Sequence, residues 1–242
     1  MEDFVMILVN RIRSLVAANI TEQREEDSRA YFDRLILGDC VKMMRKMPAA
    51  CVDFVLTDPP YVAHYKDRSG RQIQNDDNAE WIYPAFREAF RVLKDDAFCL
   101  SFYGWNKVDS FFAAWKESGF RPVGHFTWVK RYRSSVGFTQ ACHECAYLLV
   151  KGRPEKPSNP PPDVLSWQYS GNKLHPTQKP VTALTPLIEA YTQPGDLILD
   201  PFGGSGSTAV AARHCNRHYV LFEIDESYFN AAKFRLLTGS RN

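Results

Sequence analysis

No early stretch of this 242-residue chain is apolar for long enough to cross a bilayer. FVMILV at 4–9 is followed by Arg11 and Arg13 and preceded by Glu2 and Asp3, whereas a helical span needs roughly 20 apolar residues and a signal peptide a basic start. An amphipathic helix over about residues 2–20 is the expectation instead, and no membrane partner. Cysteines at disulfide-framework density are also lacking. The six present are scattered through apolar segments, which predicts reduced thiols and a cytoplasmic location. Cys142-His143-Glu144-Cys145 looks like half a zinc site, with HCNRH at 214–218 as a conceivable other half. ACHECAYLLV reads as a strand, however, and residues three apart in a strand face opposite ways, so no metal is expected. Internal repeats are absent, which excludes a solenoid. Net charge is only +2, with 45% apolar and 24% charged residues, an ordinary globular balance.

That near-neutral total hides an asymmetry. Residues 121–179 hold nine Lys/Arg against three acids, a net +6, leaving −4 for the remainder. A polyanion has a natural place to land there, although a solvated basic face has the same composition.

Apolar runs and turn residues alternate along the chain. Strands are expected at 34–39, 52–58, 97–104, 123–131, 145–152, 196–202 and 219–225. Helices are expected at about 41–47, 81–93 (ended by the charged turn Lys94-Asp95-Asp96), 107–119 with Gly119 as C-cap, 180–191, from about Ser207, and 226–237. Strands separated by helices imply a parallel sheet covered on both faces. Only a loop separates 123–131 from 145–152, which marks an antiparallel pair at one edge. The stretch RPEKPSNPPPD (153–163) is a surface loop. The fold class is therefore α/β, a doubly wound, Rossmann-like mixed sheet of about seven strands.

DPFGGSGST (200–208) follows one strand and opens a helix. Its glycines permit a tight turn and close approach of backbone to ligand, at a helix N-terminus with unpaired N–H groups. No Lys follows Gly206, so this is not a phosphate-clamping P-loop. Gly204-Ser205-Gly206-Ser207-Thr208-Ala209 does fit G-x-G-x-x-G/A, with Glu223 ending the next strand and suited to a ribose diol. The pattern indicates an adenosine-type ligand without choosing between NAD and S-adenosylmethionine. A dinucleotide site usually opens its domain, whereas this loop comes late.

NAD binding also leaves VDFVLTDPPY (52–61) unexplained. Asp58 ends a strand with acceptor oxygens, and neither Pro59 nor Pro60 has an N–H, so this edge accepts without donating. A planar group with two N–H donors suits it, such as the exocyclic amine of a nucleobase with Tyr61 stacked on its ring.

With these motifs the chain resembles the amino-methylating DNA methyltransferases of the permuted, beta class. LGDC (37–40), TDPPY (57–61), RVLK (91–94), HPTQKP (175–180), DPFGGSGST and FEID (222–225) appear in that family's order, covering Leu35 to Leu237. The resemblance implies a circularly permuted methyltransferase domain over 31–242 behind a helical extension over 1–30, with DNA-contacting loops at about 62–79 and 153–172. It implies catalysis by Asp58, Pro59, Pro60 and Tyr61, with S-adenosylmethionine as cofactor. Asp200, Phe202, Gly203, Gly204, Ser205, Gly206 and Thr208 would line that cofactor, Glu223 would hold its ribose, and Asp39 with Cys40 would meet its adenine. His175 and Lys179 would sit near its methionine end. Lys66, Arg68, Arg71, Lys130, Arg131 and Arg133 are expected to contact DNA phosphates, and a homodimer is compatible with the family. Adenine N6 is the expected target, because members with Asp at the first motif position mostly act on adenine. Cytosine N4, RNA or a protein glutamine are alternatives, as is an inactive DNA-binding scaffold. The absence of a Pro-Cys pair excludes the covalent cytosine-C5 mechanism.

Overall fold

The computed structural model describes residues 2–66, 70, 73–171 and 174–239. Its strands are β1 (Arg34–Leu37), β2 (Val52–Thr57), β3 (Leu93–Phe102), β4 (Arg121–Lys130), β5 (His143–Lys151), β6 (Val164–Trp167), β7 (Leu197–Asp200) and β8 (His218–Glu223). They form one sheet in the order β1-β8-β7-β2-β3-β5-β4-β6. The helices are α1 (Glu2–Arg29), α2 (Cys40–Met44), α3 (Ile82–Val92), α4 (Val108–Ser118), α5 (Val181–Tyr191), α6 (Ser207–His214) and α7 (Glu226–Thr238).

Strand alternation sends successive side chains to opposite faces and so builds two cores. Val55 and Cys99 join Met44 of α2, Phe86 of α3 and Trp115 of α4. Phe54, Leu56 and Leu100 point the other way, to Leu187 of α5 and Ala209 and Ala212 of α6. α3 buries Ile82, Ala85, Phe86, Ala89 and Val92, the spacing of a single helix face. α4 stops at Gly119, whose φ of +106° is a conformation that glycine adopts without penalty.

β1, β8, β7, β2 and β3 are mutually parallel; β5 is antiparallel to both β3 and β4, and β6 runs parallel to β4. The sheet thus has eight strands, not about seven. The extra one, β6, lies in the segment expected to be loop, so the antiparallel strand β5 sits inside the sheet with β6 at its rim. Val164–Trp167 is too short to announce itself as a strand, and pairing to β4 is what orders it. Lys94-Asp95-Asp96 is not a turn but the opening of β3, where Lys94 is ion-paired to Asp53 at 2.6 Å. α1 runs nine residues past the expected end, to Arg29. Among the described residues no helix is long and apolar enough to cross a membrane.

From this topology the C-terminal ends of β1, β8, β7, β2, β3, β4 and β6 fall on one edge of the sheet, beside the N-terminal end of β5. Connections diverge between β7 and β2: β7 leads through α6 to β8 on one side, and β2 through α3 to β3 on the other. Doubly wound sheets place ligands at such a switch point.

Candidate active site

Both motifs singled out above flank this switch point. β7 ends in Asp200 and the glycine loop, while its neighbour β2 leads into Asp58. One cleft is lined by Gly38, Asp39 and Cys40, by Asp58 to Pro60, by His175 and Lys179, and by Asp200 to Ser205 with Thr208, Glu223 and Asp225.

The glycine loop is shaped by backbone need. Gly204 and Gly206 have φ of +50° and +78°, and a Cβ at Gly206 would lie 3.2 Å from the Ala232 Cβ on α7. A Cβ at Gly203 would come within 3.1 Å of the Leu221 Cβ. Gly206 is also the N-cap of α6 with no side-chain capping bond, so the first turn turns bare N–H groups toward the cleft. Carboxylates hold the loop. Glu223 accepts from the Gly204 N–H at 2.7 Å and from the Asp225 N–H at 2.8 Å, and each oxygen retains a lone pair for a diol. Asp200 accepts from the Thr208 hydroxyl at 2.6 Å and the Phe202 N–H at 3.1 Å. Burial pushes Asp200 up to about 7, and burial likewise raises Glu223 against the pull of its two N–H donors. His175 stands edge-on to Tyr228, 4.2 Å between ring centroids, and a Cβ at Gly204 would meet its ring at 3.6 Å. Asp39 caps α2 by accepting from the Lys42 N–H at 2.9 Å. Cys40 is buried and its thiol pushed up to about 12, which makes it a lining group and no nucleophile.

Across the cleft stands a chain of alternating charges. Lys179, expected near the methionine end of a cofactor, has its Nζ 2.7 Å from Asp58 Oδ2 and donates to the Tyr61 hydroxyl at 3.2 Å. The same ammonium is 4.0 Å from Glu144 Oε2, and Glu144 is in turn ion-paired with Lys130. Tyr61 donates its hydroxyl hydrogen to Asp58 Oδ1 at 2.9 Å. Burial raises Asp58, and Lys179 and the Tyr61 hydroxyl pull it back without cancelling the rise. Burial also raises Glu144, but Lys179 and Lys130 together outweigh it and hold that carboxyl below its usual range. Burial, with Asp58 and Glu144 as neighbours, keeps Tyr61 a phenol. Gly104, just past β3, lies so close that a Cβ there would be 2.8 Å from both the Cβ and the carbonyl oxygen of Tyr61.

The loop after Tyr61 turns through the left-handed region at Val62 (φ +55°) and His64 (φ +52°), strain that its surroundings must enforce. Asp76 does so. Buried, it accepts from the N–H groups of Ala63 at 3.2 Å and Tyr65 at 2.6 Å, while its carbonyl takes the His64 N–H. Asp76 and Glu144 are site residues that sequence reasoning missed. Asp76 lies in a polar loop with no motif around it, and Glu144 drew notice only inside a metal-like cluster.

Of the expected phosphate contacts, Lys66, Arg131 and Arg133 are exposed, whereas Arg68 and Arg71 lie outside the described residues. Lys130 must be corrected. It is buried, paired with Glu144 and stacked over Trp167 at 5.5 Å, so its charge is spent inside the protein. Trp128 is fully buried, while Trp105 is exposed.

Comparison with known proteins agrees with this geometry. Residues 52–234 match the N6/N4 family described as DNA methylase. The putative methylase YubD of Escherichia coli (strain K12) is 53% identical over 208 residues, covering 86% of this chain and 92% of that protein. M1.HpyAVI in its complex with SAM superimposes with a TM-score of 0.65 at 23% identity, covering 84% of this chain and 98% of that one. The PvuII DNA methyltransferase (cytosine-N4-specific) gives a TM-score of 0.69 at 20% identity, covering 84% and 86%.

Proposed function

The chain belongs to the DNA methylase family that modifies exocyclic amino groups, and from that premise we propose that it methylates the N6 amine of adenine in DNA. The methyl donor is S-adenosylmethionine, and the base is turned out of the duplex into the cleft. The observation that carries this reading is Asp58 and the N–H-free Pro59-Pro60 edge facing the glycine loop across one switch point.

The cleft suits such a donor. Asp39, Asp58, Asp200, Glu223 and Asp225 line it, an acidic set that favours a cationic sulfonium and a ribose diol over the pyrophosphate of a dinucleotide. Glu223, Asp39 and the loop from Phe202 to Gly206 would hold the adenosine part, with His175 closing over Gly204. When bound, the cofactor supplies an electrophilic methyl group.

The protein's own work is on the amine. A ring-conjugated amine is a poor nucleophile because its lone pair is delocalised. Asp58 and the Pro59 carbonyl, by accepting hydrogen bonds from its two N–H groups, favour the pyramidal form and stabilise the positive charge that grows on nitrogen. Lys179 opposes the protonation that burial favours at Asp58, and Tyr61 orients that carboxylate through its hydroxyl. No covalent enzyme intermediate is required, and the chain has no Pro-Cys pair to form one.

Cytosine N4 presents the same two donors, and one fold neighbour is cytosine-N4-specific. The +6 segment supports a nucleic-acid substrate over a protein glutamine. The deciding experiment expresses the chain in a methylation-free host and maps modified bases genome-wide, comparing wild type with Asp58→Ala. N6-methyladenine in the wild type alone is expected. N4-methylcytosine would transfer the reading to the other amine. Losing one preorganised electrostatic partner costs on the order of 10²–10³ in rate, so retention of more than about a tenth of wild-type single-turnover rate by Asp58→Ala would remove Asp58 from the catalytic role.

A further inference from the structure

The β4–β5 hairpin does something the methyl-transfer chemistry does not need. Its base is locked beside the active site: Lys130 ends β4, Glu144 lies near the start of β5, and their ion pair runs on to Lys179 and Asp58. β6 braces that base, with Trp167 under the Lys130 ammonium and Tyr169 edge-on to Tyr132 at 5.2 Å. Beyond the brace the hairpin continues as an ordered ribbon. Ser134 donates to the Ala141 carbonyl at 2.9 Å, Ala141 to Ser135 at 3.0 Å, Val136 bridges Gln140, and Gly137 donates to Thr139 at 3.0 Å.

At the tip of this ribbon is Phe138, wholly exposed, with Val136 also 70% exposed. Single exposed apolar residues are ordinary, but this one crowns the element whose other end is linked to Asp58 through Lys179. Phe138 lies six positions before Glu144, a reach of up to about 20 Å for extended chain. Residues 131–143 contain Arg131 and Arg133 and no acid, and both arginines are exposed. An apolar tip on cationic shoulders is complementary to a duplex, whose phosphates pair with the arginines while its base steps accept a flat hydrophobic ring. Val129, Val164 and Tyr169 are exposed nearby as well, so an apolar protein groove would meet some of the same features. Two exposed arginines with no acid among residues 131–143 favour a phosphate backbone instead.

We infer that the β4–β5 hairpin is a wedge, with Phe138 entering the base stack next to the target as that base leaves for the cleft and Arg131 and Arg133 fixing the hairpin on the backbone. This rests on the reading that the substrate is duplex DNA. Unstacking a base step is unfavourable, and a ring that fills the vacated gap offsets part of that cost.

The test separates opening of the duplex from methyl transfer. Sheared duplex DNA from a methylation-free host is mixed with wild type, Phe138→Ala or Phe138→Leu and S-adenosylmethionine. Thymines that become unstacked are then mapped by permanganate oxidation, and labelled methyl transfer is measured in parallel. Wild type and Phe138→Leu should raise permanganate reactivity at recurrent sites, and Phe138→Ala should lose about tenfold of that signal together with its methyl transfer to duplex. A wild type that unstacks no thymines, or a Phe138→Ala that unstacks and methylates as well as wild type, overturns the wedge. Unstacking that depends on Phe138 with no methyl passed to DNA would uphold the wedge and sink the methyl-transfer reading instead. The position is fully exposed, so a fold defect is not a competing cause.

Discussion

Asp58 shows how a single side chain is tuned by what surrounds it. Burial works to protonate it, Lys179 at 2.7 Å works against that, and the balance still leaves its pKa above the ordinary value. On the proposed mechanism the ionised form is the stronger acceptor and the one whose charge offsets that growing on the amine, so activity should fall as pH drops through this raised pKa. Replacing Lys179 with Met removes the main opposing influence and raises Asp58 further. The acid limb of kcat/KM against pH should therefore move to higher pH, and the ratio of Lys179→Met to wild-type rate should climb as pH rises across that limb. Affinity for S-adenosylmethionine by calorimetry should change little. A ratio flat with pH would mean that Lys179 serves the cofactor, as its motif suggested, and leaves Asp58 untouched. The residue types at the site were readable in the sequence because Asp-Pro-Pro-Tyr and the glycine loop are local patterns with local physical reasons. The pairing of Lys179 with Asp58 was not, since they lie 121 positions apart and only the sheet brings them together.

Elements were legible where their periodicity was long and their ends punctuated. Six of the helices and seven of the strands fall where apolar spacing and glycine caps put them, and α4 ends on Gly119 as its C-cap predicts. Short pieces that owe their conformation to a neighbour were not legible: β6 exists through its pairing with β4, and the charged start of β3 through Lys94 and Asp53. The loop after Tyr61 is the extreme case. No local propensity favours Val62 at φ +55°, and the side chain of Asp76, more than ten residues on, enforces it. Asp76→Ala would remove the acceptor of two partly buried backbone donors, a loss of about 0.5–1.5 kcal/mol each. The expected outcome is local loosening of 62–66 seen by hydrogen exchange, with a single-turnover methylation rate down by about tenfold or more because Tyr61 loses its support. Cofactor affinity should hold, because the glycine loop is tied separately by Glu223 and Asp200. Unaltered exchange in that segment would show that the strained turn is held by Val62 packing alone.

Charge is divided across the whole molecule in a way that no single residue reveals. The −4 remainder contributes the carboxylates of the cofactor cleft, while the +6 segment 121–179 supplies β4, the hairpin, β5 and β6 on the far side of β3. A polyanion approaching this surface is repelled by the acidic half and drawn to the basic one, which orients it before any base is read. Burial of Lys130 subtracts one cation from that field, so the exposed share rests more heavily on Arg131 and Arg133. Each phosphate contact made on binding duplex DNA releases condensed counterions and steepens the log–log dependence of affinity on salt by about 0.9. Neutralising Arg131 and Arg133 together, as Arg131→Gln with Arg133→Gln, should therefore flatten that slope by about 1.8. Lys130→Gln, by contrast, should leave the slope nearly unchanged while disturbing catalysis, because its charge is matched by Glu144 inside the protein. The measurement is duplex affinity by fluorescence anisotropy from about 50 to 200 mM salt, without cofactor, so that binding is read apart from methyl transfer. Should the arginine pair leave the slope untouched while Lys130→Gln flattens it, the buried pair must open on binding DNA, and the hairpin base would be the phosphate contact in place of its shoulders.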